Sequence, residues 1–458
     1  MYCYQAAKRR VGTCADCGHQ GMTPGRNDAG QPTCLSCSHI PLDLTCHQCG
    51  IEAWLAKKNT CWACELKTLI TSLLAGPDSV VRPELIPLAT ALAGMQRPNS
   101  GVTWIRTNPK VATLLSSLGN GDLPLNHAAF DALPKSQTVE YVRELLIEHA
   151  VLPFRDRYVA GYERWLATKL ADLQDIEQRQ VIEQFGRWHH LRRLRAQAAK
   201  APVTQNAFLH AKQSTTVATS FLHWLQERGR HIWACSQHDI DSWLSAGPTT
   251  RQQIDSFLCW AVRQRLIKGI KIPTRNYRGS PHIEEGRRLD LLRMLLLHET
   301  MPADHRIAGC LILLFGQPIQ RIARMRMDHV KVTAESVELR LSREWIPVPE
   351  PFATLLRAYL GNRPHMNTAA NPDSPWLFPG GMPRQPITPQ MIATRLSREG
   401  LPPLAARSGT WLQLVREAPP SVLAQALGIH PITAMRHAKL AGADFLSYPR
   451  PGDSIVDG

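Results

Sequence analysis

Four Cys-x-x-Cys pairs stand within the first 64 residues: Cys14/Cys17, Cys34/Cys37, Cys46/Cys49 and Cys61/Cys64. A Cys-x-x-Cys turn aims two sulfurs at one point. Two such turns complete a tetrahedral four-thiolate site for Zn2+. Gly18 and Gly50 directly follow the second cysteine of two of the pairs, where a tight turn is easiest for a residue without a Cβ. Gly21, Pro24, Gly25, Gly30 and Pro32 supply further turn formers between them. Eight sulfurs suffice for two ions. The simplest pairing joins the first pair to the second and the third to the fourth. The crossed pairing, first with third and second with fourth, stays open. A redox role suits the pattern poorly, because four repeats lie in no βαβ context. A segment this short has little apolar core, so metal is expected to drive its folding.

The rest of the chain is long enough for several cores. It has 458 residues, 44% hydrophobic and 20% charged, the make-up of an ordinary folded protein. Lysine plus arginine exceeds aspartate plus glutamate by 53 − 38 = 15. That excess favours a polyanionic partner, most often nucleic acid. No run approaches the ~18 apolar residues that span a bilayer, and the start, MYCYQAAKRRVGTC, lacks the apolar core of a signal peptide. The expectation is a cytoplasmic, nucleoid-associated protein with no membrane partner, in which paired cysteines hold metal rather than form disulfides. There is no P-loop, no GxGxxG and no HExxH. Cys235, Cys259 and Cys310 read as buried hydrophobes, and His189-His190 as an isolated, solvated pair.

Residues 67–200 carry apolar side chains at helical spacing, as in TLITSLLAG and ELIPLATALAGM, with Pro77, Pro83, Pro98 and Pro109 between helices. The segment closes on Arg187-Trp-His-His-Leu-Arg-Arg-Leu-Arg195, which mixes cations with aromatics. Such a face can track phosphates. It can equally be a solvated helix end, where cations are favourable.

Several motifs then carry a family resemblance. Residues 1–66 resemble two consecutive zinc ribbons. Residues 201–278 resemble the core-binding, SAM-like domain that precedes the catalytic domain of tyrosine recombinases, the phage-integrase and Xer class. The helix VATSFLHWLQERGR is followed by TRQQIDSFLCWAVRQRLI, with Arg251, Ile254, Phe257, Trp260, Ala261, Ile267 and Pro273 in the family's places. Residues 279–458 resemble the catalytic domain. Leu311, Leu313 and Leu314 give its apolar helix, Gly316 the turn, and Ile319, Ile322 and Met325 the next buried stripe. VELRLSREWIPVPEPFATLLRAYL resembles the three-stranded insert and the helix behind it. The resemblance implies a mainly α fold: tandem zinc ribbons, a helical middle region, a core-binding domain and a recombinase-like domain with a small β insert.

The family's chemistry needs two arginines and a histidine around one phosphate, with a tyrosine as nucleophile. Forked guanidinium donors stabilise charge on the non-bridging oxygens, and the tyrosine forms a covalent phosphotyrosine. Here the first arginine's place holds Pro318, and the usual glutamate's place holds Arg321. The H-x-x-R box falls on Leu404-Ala-Ala-Arg407, keeping the arginine and losing the histidine, with Ser408 where a second histidine often stands. Only Arg343 lies where the catalytic lysine is usual. The L-G-H box reads Leu427-Gly428-Ile429 with His430 displaced, and the nucleophile's place lands on Ala438. Tyr448 is the one nearby tyrosine, about ten residues too late for the motif, which makes Arg407 and Tyr448 the catalytic candidates. Residues 422–439 also read as a helix-turn-helix turning at Gly428, with Thr433, Arg436, His437 and Lys439 as donors to a major groove.

The expected partner is double-stranded DNA, with a partner recombinase or a second copy of the chain as further candidates. The expected DNA contacts are Arg251, Arg263, Arg265, Lys268, Arg321, Arg324, Arg407, Thr433, Arg436, His437 and Lys439, with Arg321 and Arg324 facing solvent or the DNA backbone and an inward reach as the alternative. Two Zn2+ ions are expected on the eight cysteines. The function this implies is an accessory or regulatory DNA-binding factor in recombination, integration or a mobile element. Two rivals stand beside it: a diverged active recombinase, and a zinc-dependent transcription regulator or protein-interaction factor.

Overall fold

The computed structural model describes residues 11–272, 281–366 and 368–442. Pro273 and Tyr448 lie outside the described residues. The chain divides into two compact units, Met1–Leu152 with Ser280–Gly458, and Pro153–Gly279. The described structure is mainly helical, with small sheets.

The first unit opens with three short hairpins. β1 (Val11–Thr13) pairs with β2 (Gln20–Met22), β3 (Gly25–Arg26) with β4 (Pro32–Thr33), and β5 (Leu55–Lys57) with β6 (Thr60–Cys61), all antiparallel. Strands of two or three residues bury little, so cross-links must hold them. Helices follow: α1 (Trp62–Leu74), α2 (Ile86–Ala93), α3 (Pro98–Thr107), α4 (Pro109–Asn120), α5 (His127–Ala132) and α6 (Gln137–Glu148). Three of them start with proline at a first-turn position, where its missing N–H costs nothing. Leu66, Ile70 and Leu74 recur every four residues along α1 and bury against Leu88, Leu115, Phe130 and Leu145.

The second unit is all helical: α7 (Arg157–Ala171), α8 (Ile176–Gln184), a π-helical stretch at Phe185–Leu191, α9 (Arg192–Ala198), α10 (Gln205–Gln226), α11 (Gln237–Ser245) and α12 (Asp255–Arg263). One core gathers Tyr162, Phe185, Phe221, Trp243, Phe257 and Trp260. This core runs across position 200, because Tyr162 on α7 and Phe185 in the π-helical stretch pack with aromatic side chains from beyond it. The Asp156 carboxylate caps α7 by accepting from Tyr158 and Val159, and also takes the Val203 N–H at 2.9 Å.

Residues 281–442 return to the first unit with α13 (Glu285–Leu297), α14 (Ala303–Phe315) and the short α15 (Ile319–Ile322). A three-stranded antiparallel sheet follows, β7 (Val330–Val332), β8 (Val337–Leu339) and β9 (Ile346–Pro347), with Val330 opposite Leu339 and Leu339 opposite Ile346. The helices α16 (Phe352–Leu360), α17 (Pro389–Arg398), α18 (Pro403–Glu417), α19 (Pro420–Leu427) and α20 (Pro431–Ala441) complete it. Leu311, Ile312, Leu313, Ile322, Leu356 and Trp411 are fully buried in its core. No helix among the described residues is long and apolar enough to cross a membrane.

Candidate metal centres and nucleic-acid interface

The eight N-terminal cysteines form two clusters, Cys14/Cys17/Cys34/Cys37 and Cys46/Cys49/Cys61/Cys64, with the sulfurs of each within 4.8 Å of one another. The pairing is therefore consecutive, and the crossed arrangement is excluded. The Sγ atoms of Cys17 and Cys34 are 3.7 Å apart, and those of Cys49 and Cys61 3.8 Å. Four sulfurs at about 2.3 Å from a tetrahedral ion stand about 3.8 Å from each other, so the donor set fits a metal. Backbone N–H groups already point at the sulfurs. Cys34 N donates to Cys14 Sγ at 3.3 Å, and Cys61 N to Cys46 Sγ at 3.3 Å. These bonds lower the Cys14 and Cys46 thiols to about 6, the thiolate state a metal requires. Neighbouring sulfur pushes the Cys37 thiol up, and burial does the same at Cys64.

The two clusters differ in their attachments. The first sits between hairpins. In the second, Cys61 ends β6 and is also the N-cap of α1, accepting from Cys64 N at 3.4 Å. One turn on, buried Glu65 takes Lys57 Nζ at 2.8 Å and the Arg106 guanidinium. His19 Nε2 stands 2.9 Å from Glu52, tying the two modules together.

Within residues 281–442, several of the positions singled out in the sequence meet at two glycine turns. Gly316 ends α14 and Gly428 ends α19, both left-handed, with φ of 58° and 64°. Each also needs its missing Cβ: one at Gly316 would lie 2.4 Å from the Trp411 ring, and one at Gly428 would lie 2.4 Å from Leu341 O. The Gly316 carbonyl accepts from Arg407 Nε and from Trp411 Nε1, both at 2.9 Å. Trp411 is fully buried; its role was not legible in the sequence, where it is one apolar residue of an amphipathic helix.

Arg321, expected at solvent or on DNA, turns inward instead. Nη1 donates to Leu427 O at 2.9 Å and to Gly428 O at 2.8 Å, and Nη2 donates to Leu341 O. Its guanidinium ties α15 to the β insert and to the Gly428 turn, and it has no carboxylate partner among the described residues. Burial lowers it from its ordinary value. Gln317, almost fully buried, adds a bond from Nε2 to Leu427 O at 3.1 Å while its Oε1 finds no partner. Pro318 is the N-cap of α15 and has no side-chain donor. Ala438 is buried in the same core.

His437 is also not a groove-facing donor. It is 7% exposed and stacks on Trp411, ring centroids 5.7 Å apart. Burial, with Arg407 and Arg436 nearby, lowers it to about 4, so it is neutral. On the same helix Arg436 and Lys439 are exposed and Thr433 half-buried. Arg407 and Arg324 are half-buried.

In the second unit Arg263, Arg265 and Lys268 are exposed. Arg251 is not available in the same way: its guanidinium lies over the Trp243 ring at 4.6 Å and donates to Trp243 O. His190, expected to be solvated, is 3% exposed within the core. Cys235 and Cys310 are buried, and Cys259 is only partly so.

No family model matches the sequence, and no curated protein matches it. Similar solved structures are tyrosine recombinases at low identity. A XerA recombinase is 15% identical over 57% of this chain and 98% of its own, with a TM-score of 0.29. XerH site-specific recombinase bound to palindromic difH substrate is 12% identical over 64% of this chain and 98% of its own, with a TM-score of 0.41. A lambda integrase (75–356) dimer bound to a COC' core site is 12% identical over 58% of this chain and 98% of its own, with a TM-score of 0.33.

Proposed function

We propose that this chain is a DNA-binding protein of tyrosine-recombinase ancestry that does not cut DNA. It acts as an accessory or regulatory factor in recombination, integration or a mobile element. Residues 1–66 hold two Zn2+ ions, residues 67–200 form a helical region, residues 201–278 form a core-binding domain, and residues 279–458 form the recombinase-like domain. The observation that carries the reading is the fate of three positions. Pro318 replaces a guanidinium with a ring that donates nothing, Arg321 spends its donors on three backbone carbonyls, and Ala438 offers no nucleophile. Loss of one preorganised donor typically costs ~10²–10³ in rate. Without a nucleophile there is no covalent route. Binding needs only cations, and Arg407 retains its charge beside the Gly316 turn.

A nicked duplex that traps covalent recombinase adducts tests this. Wild-type protein should shift the duplex at low salt and leave no covalent adduct. An adduct that forms with wild type and disappears in Tyr448→Phe would restore the enzyme. Binding that is absent, or flat against salt, would favour the protein-interaction reading, because each neutralised phosphate contributes a slope of about −0.9 in log K against log salt.

A further inference from the structure

The recombinase-like reading leaves the Arg187–Arg195 run unused, and the structure gives that run an unusual form. Phe185–Leu191 is π-helical. Single π turns inside helices are rare and concentrate at functional sites. Gly186 lets the turn lie against α7, because a Cβ there would stand 2.7 Å from Leu166. The wider turn sends Phe185 and His190 into the core and leaves Trp188 outside, 69% exposed.

Arginines flank that indole along the chain at positions 187, 192, 193 and 195. Arg187 and Arg195 are tied to Glu183 and Glu163. Arg192 and Arg193 are exposed and form no ion pair among the described residues, and the same holds for Arg263 on α12. α12 meets the π turn directly: Phe257 packs on Phe185 at 5.2 Å between centroids, and Ser256 Oγ is 3.4 Å from His189 Nε2. α12, which packs on the π turn in this way, carries Arg263 at its C-terminal end. A solvated helix end would account for the arginines. It does not account for an exposed indole among them, since aromatic and arginine side chains together mark contact surfaces.

We propose that Trp188, Arg192, Arg193 and Arg263 form a duplex-DNA contact in which the three guanidiniums bind successive phosphates and the indole packs on deoxyribose between them. This rests on the reading that the chain binds DNA, and it extends the contact from Arg263, in the core-binding segment, onto the Arg187–Arg195 run that precedes that segment. Charge selects the partner: guanidinium forks match phosphate oxygens, and the chain carries a net charge of +15.

The test uses the full-length, metal-loaded protein on one mixed-sequence duplex and its single strand, over a salt series. Arg192→Gln/Arg193→Gln/Arg263→Gln should make the salt slope shallower by about 2.7 and weaken duplex binding roughly 100-fold at ~0.15 M salt. Trp188→Ala should weaken it at least roughly 5-fold with the slope unchanged, and Trp188→Phe should recover most of the loss. Lys110→Gln/Lys135→Gln, removing exposed cations of the other unit, should leave the slope as in wild type. A triple variant with the wild-type slope overturns the proposal, as does an equal loss in the Lys110/Lys135 control. A loss confined to the single strand overturns the duplex assignment. Wild type that binds no DNA fails the broader reading as well, which separates the two failures.

Discussion

Two regions of the first unit treat their polar groups in opposite ways. The cysteine clusters keep every ligand and hold each four sulfurs within 4.8 Å of one another. Around Gly316 and Gly428 the polar side chains are instead bonded to the chain's own backbone. Arg321 and Gln317 share the Leu427 carbonyl, and Arg407 and Trp411 share the Gly316 carbonyl. A four-thiolate site without a cation holds sulfurs that repel one another, so it has strong use for a ligand. A guanidinium bonded to three carbonyls is already satisfied. One region has a donor set that fits an ion, and in the other the donors serve the scaffold.

Metal removal should give the largest effect. Structural zinc contributes apparent binding free energies of about 10–16 kcal/mol. Purified protein should carry two zinc ions, and a content near zero would break the comparison at once. The clusters should respond differently. Cys34→Ser should unfold the first module and leave the helices protected. Cys46→Ser should also raise hydrogen exchange at Leu66, Ile70 and Leu74, because Cys61 is both ligand and helix cap.

Next comes Arg321→Met. It leaves the carbonyls of Leu341 and Gly428 without their Arg321 donor and that of Leu427 with Gln317 alone, at about 3 kcal/mol of stability in a denaturant titration. A neutral effect on stability, joined to complete loss of DNA binding, would make Arg321 a phosphate ligand and undo the contrast.

Acid probes the same pocket. His437 is held neutral, with its folded value at about 4, and the unfolded side chain titrates near 6.5. Its contribution is fully present above the unfolded value. It is lost as pH falls from about 6.5 toward 4, because the unfolded chain takes up the proton first. The loss reaches at most roughly 3 kcal/mol. His190, lowered to about 3 by burial, acts in the same direction. His437→Phe should flatten the melting temperature against pH over this window. An unchanged profile in both His437→Phe and His190→Phe would show that neither is buried as described.

The smallest effect belongs to Arg407→Ala, read on DNA. One lost phosphate contact makes the salt slope shallower by about 0.9 and weakens binding roughly 5-fold at ~0.15 M salt. An unchanged slope would assign Arg407 wholly to the Gly316 turn.

Some of this was legible because its determinants are local. A Cys-x-x-Cys pair fixes two ligands within four residues. The apolar spacing of Leu311, Leu313 and Leu314, closed by Gly316, marks a buried helix and its left-handed end. Trp188 and its arginines were visible as a basic aromatic run. Periodicity could not say that Arg321 and His437 face inward, because a polar residue on a helix reads as exposed until its neighbours are known. It likewise could not reveal that the core of the second unit runs across residue 200, since Phe185 and Phe257 meet only in three dimensions.

The sequence by itself determined the ligand count, the mainly helical architecture, the small β insert and the absence of donor and nucleophile at positions 318 and 438. The β insert came from the resemblance; the others are properties of residue type and short-range spacing. Only the tertiary structure decided which cysteine pairs cluster, which arginines remain available and which histidines are kept neutral. These depend on what lies beside a side chain across gaps of tens to a hundred residues. There, backbone carbonyls and aromatic rings compete for the donors that sequence alone would assign to DNA.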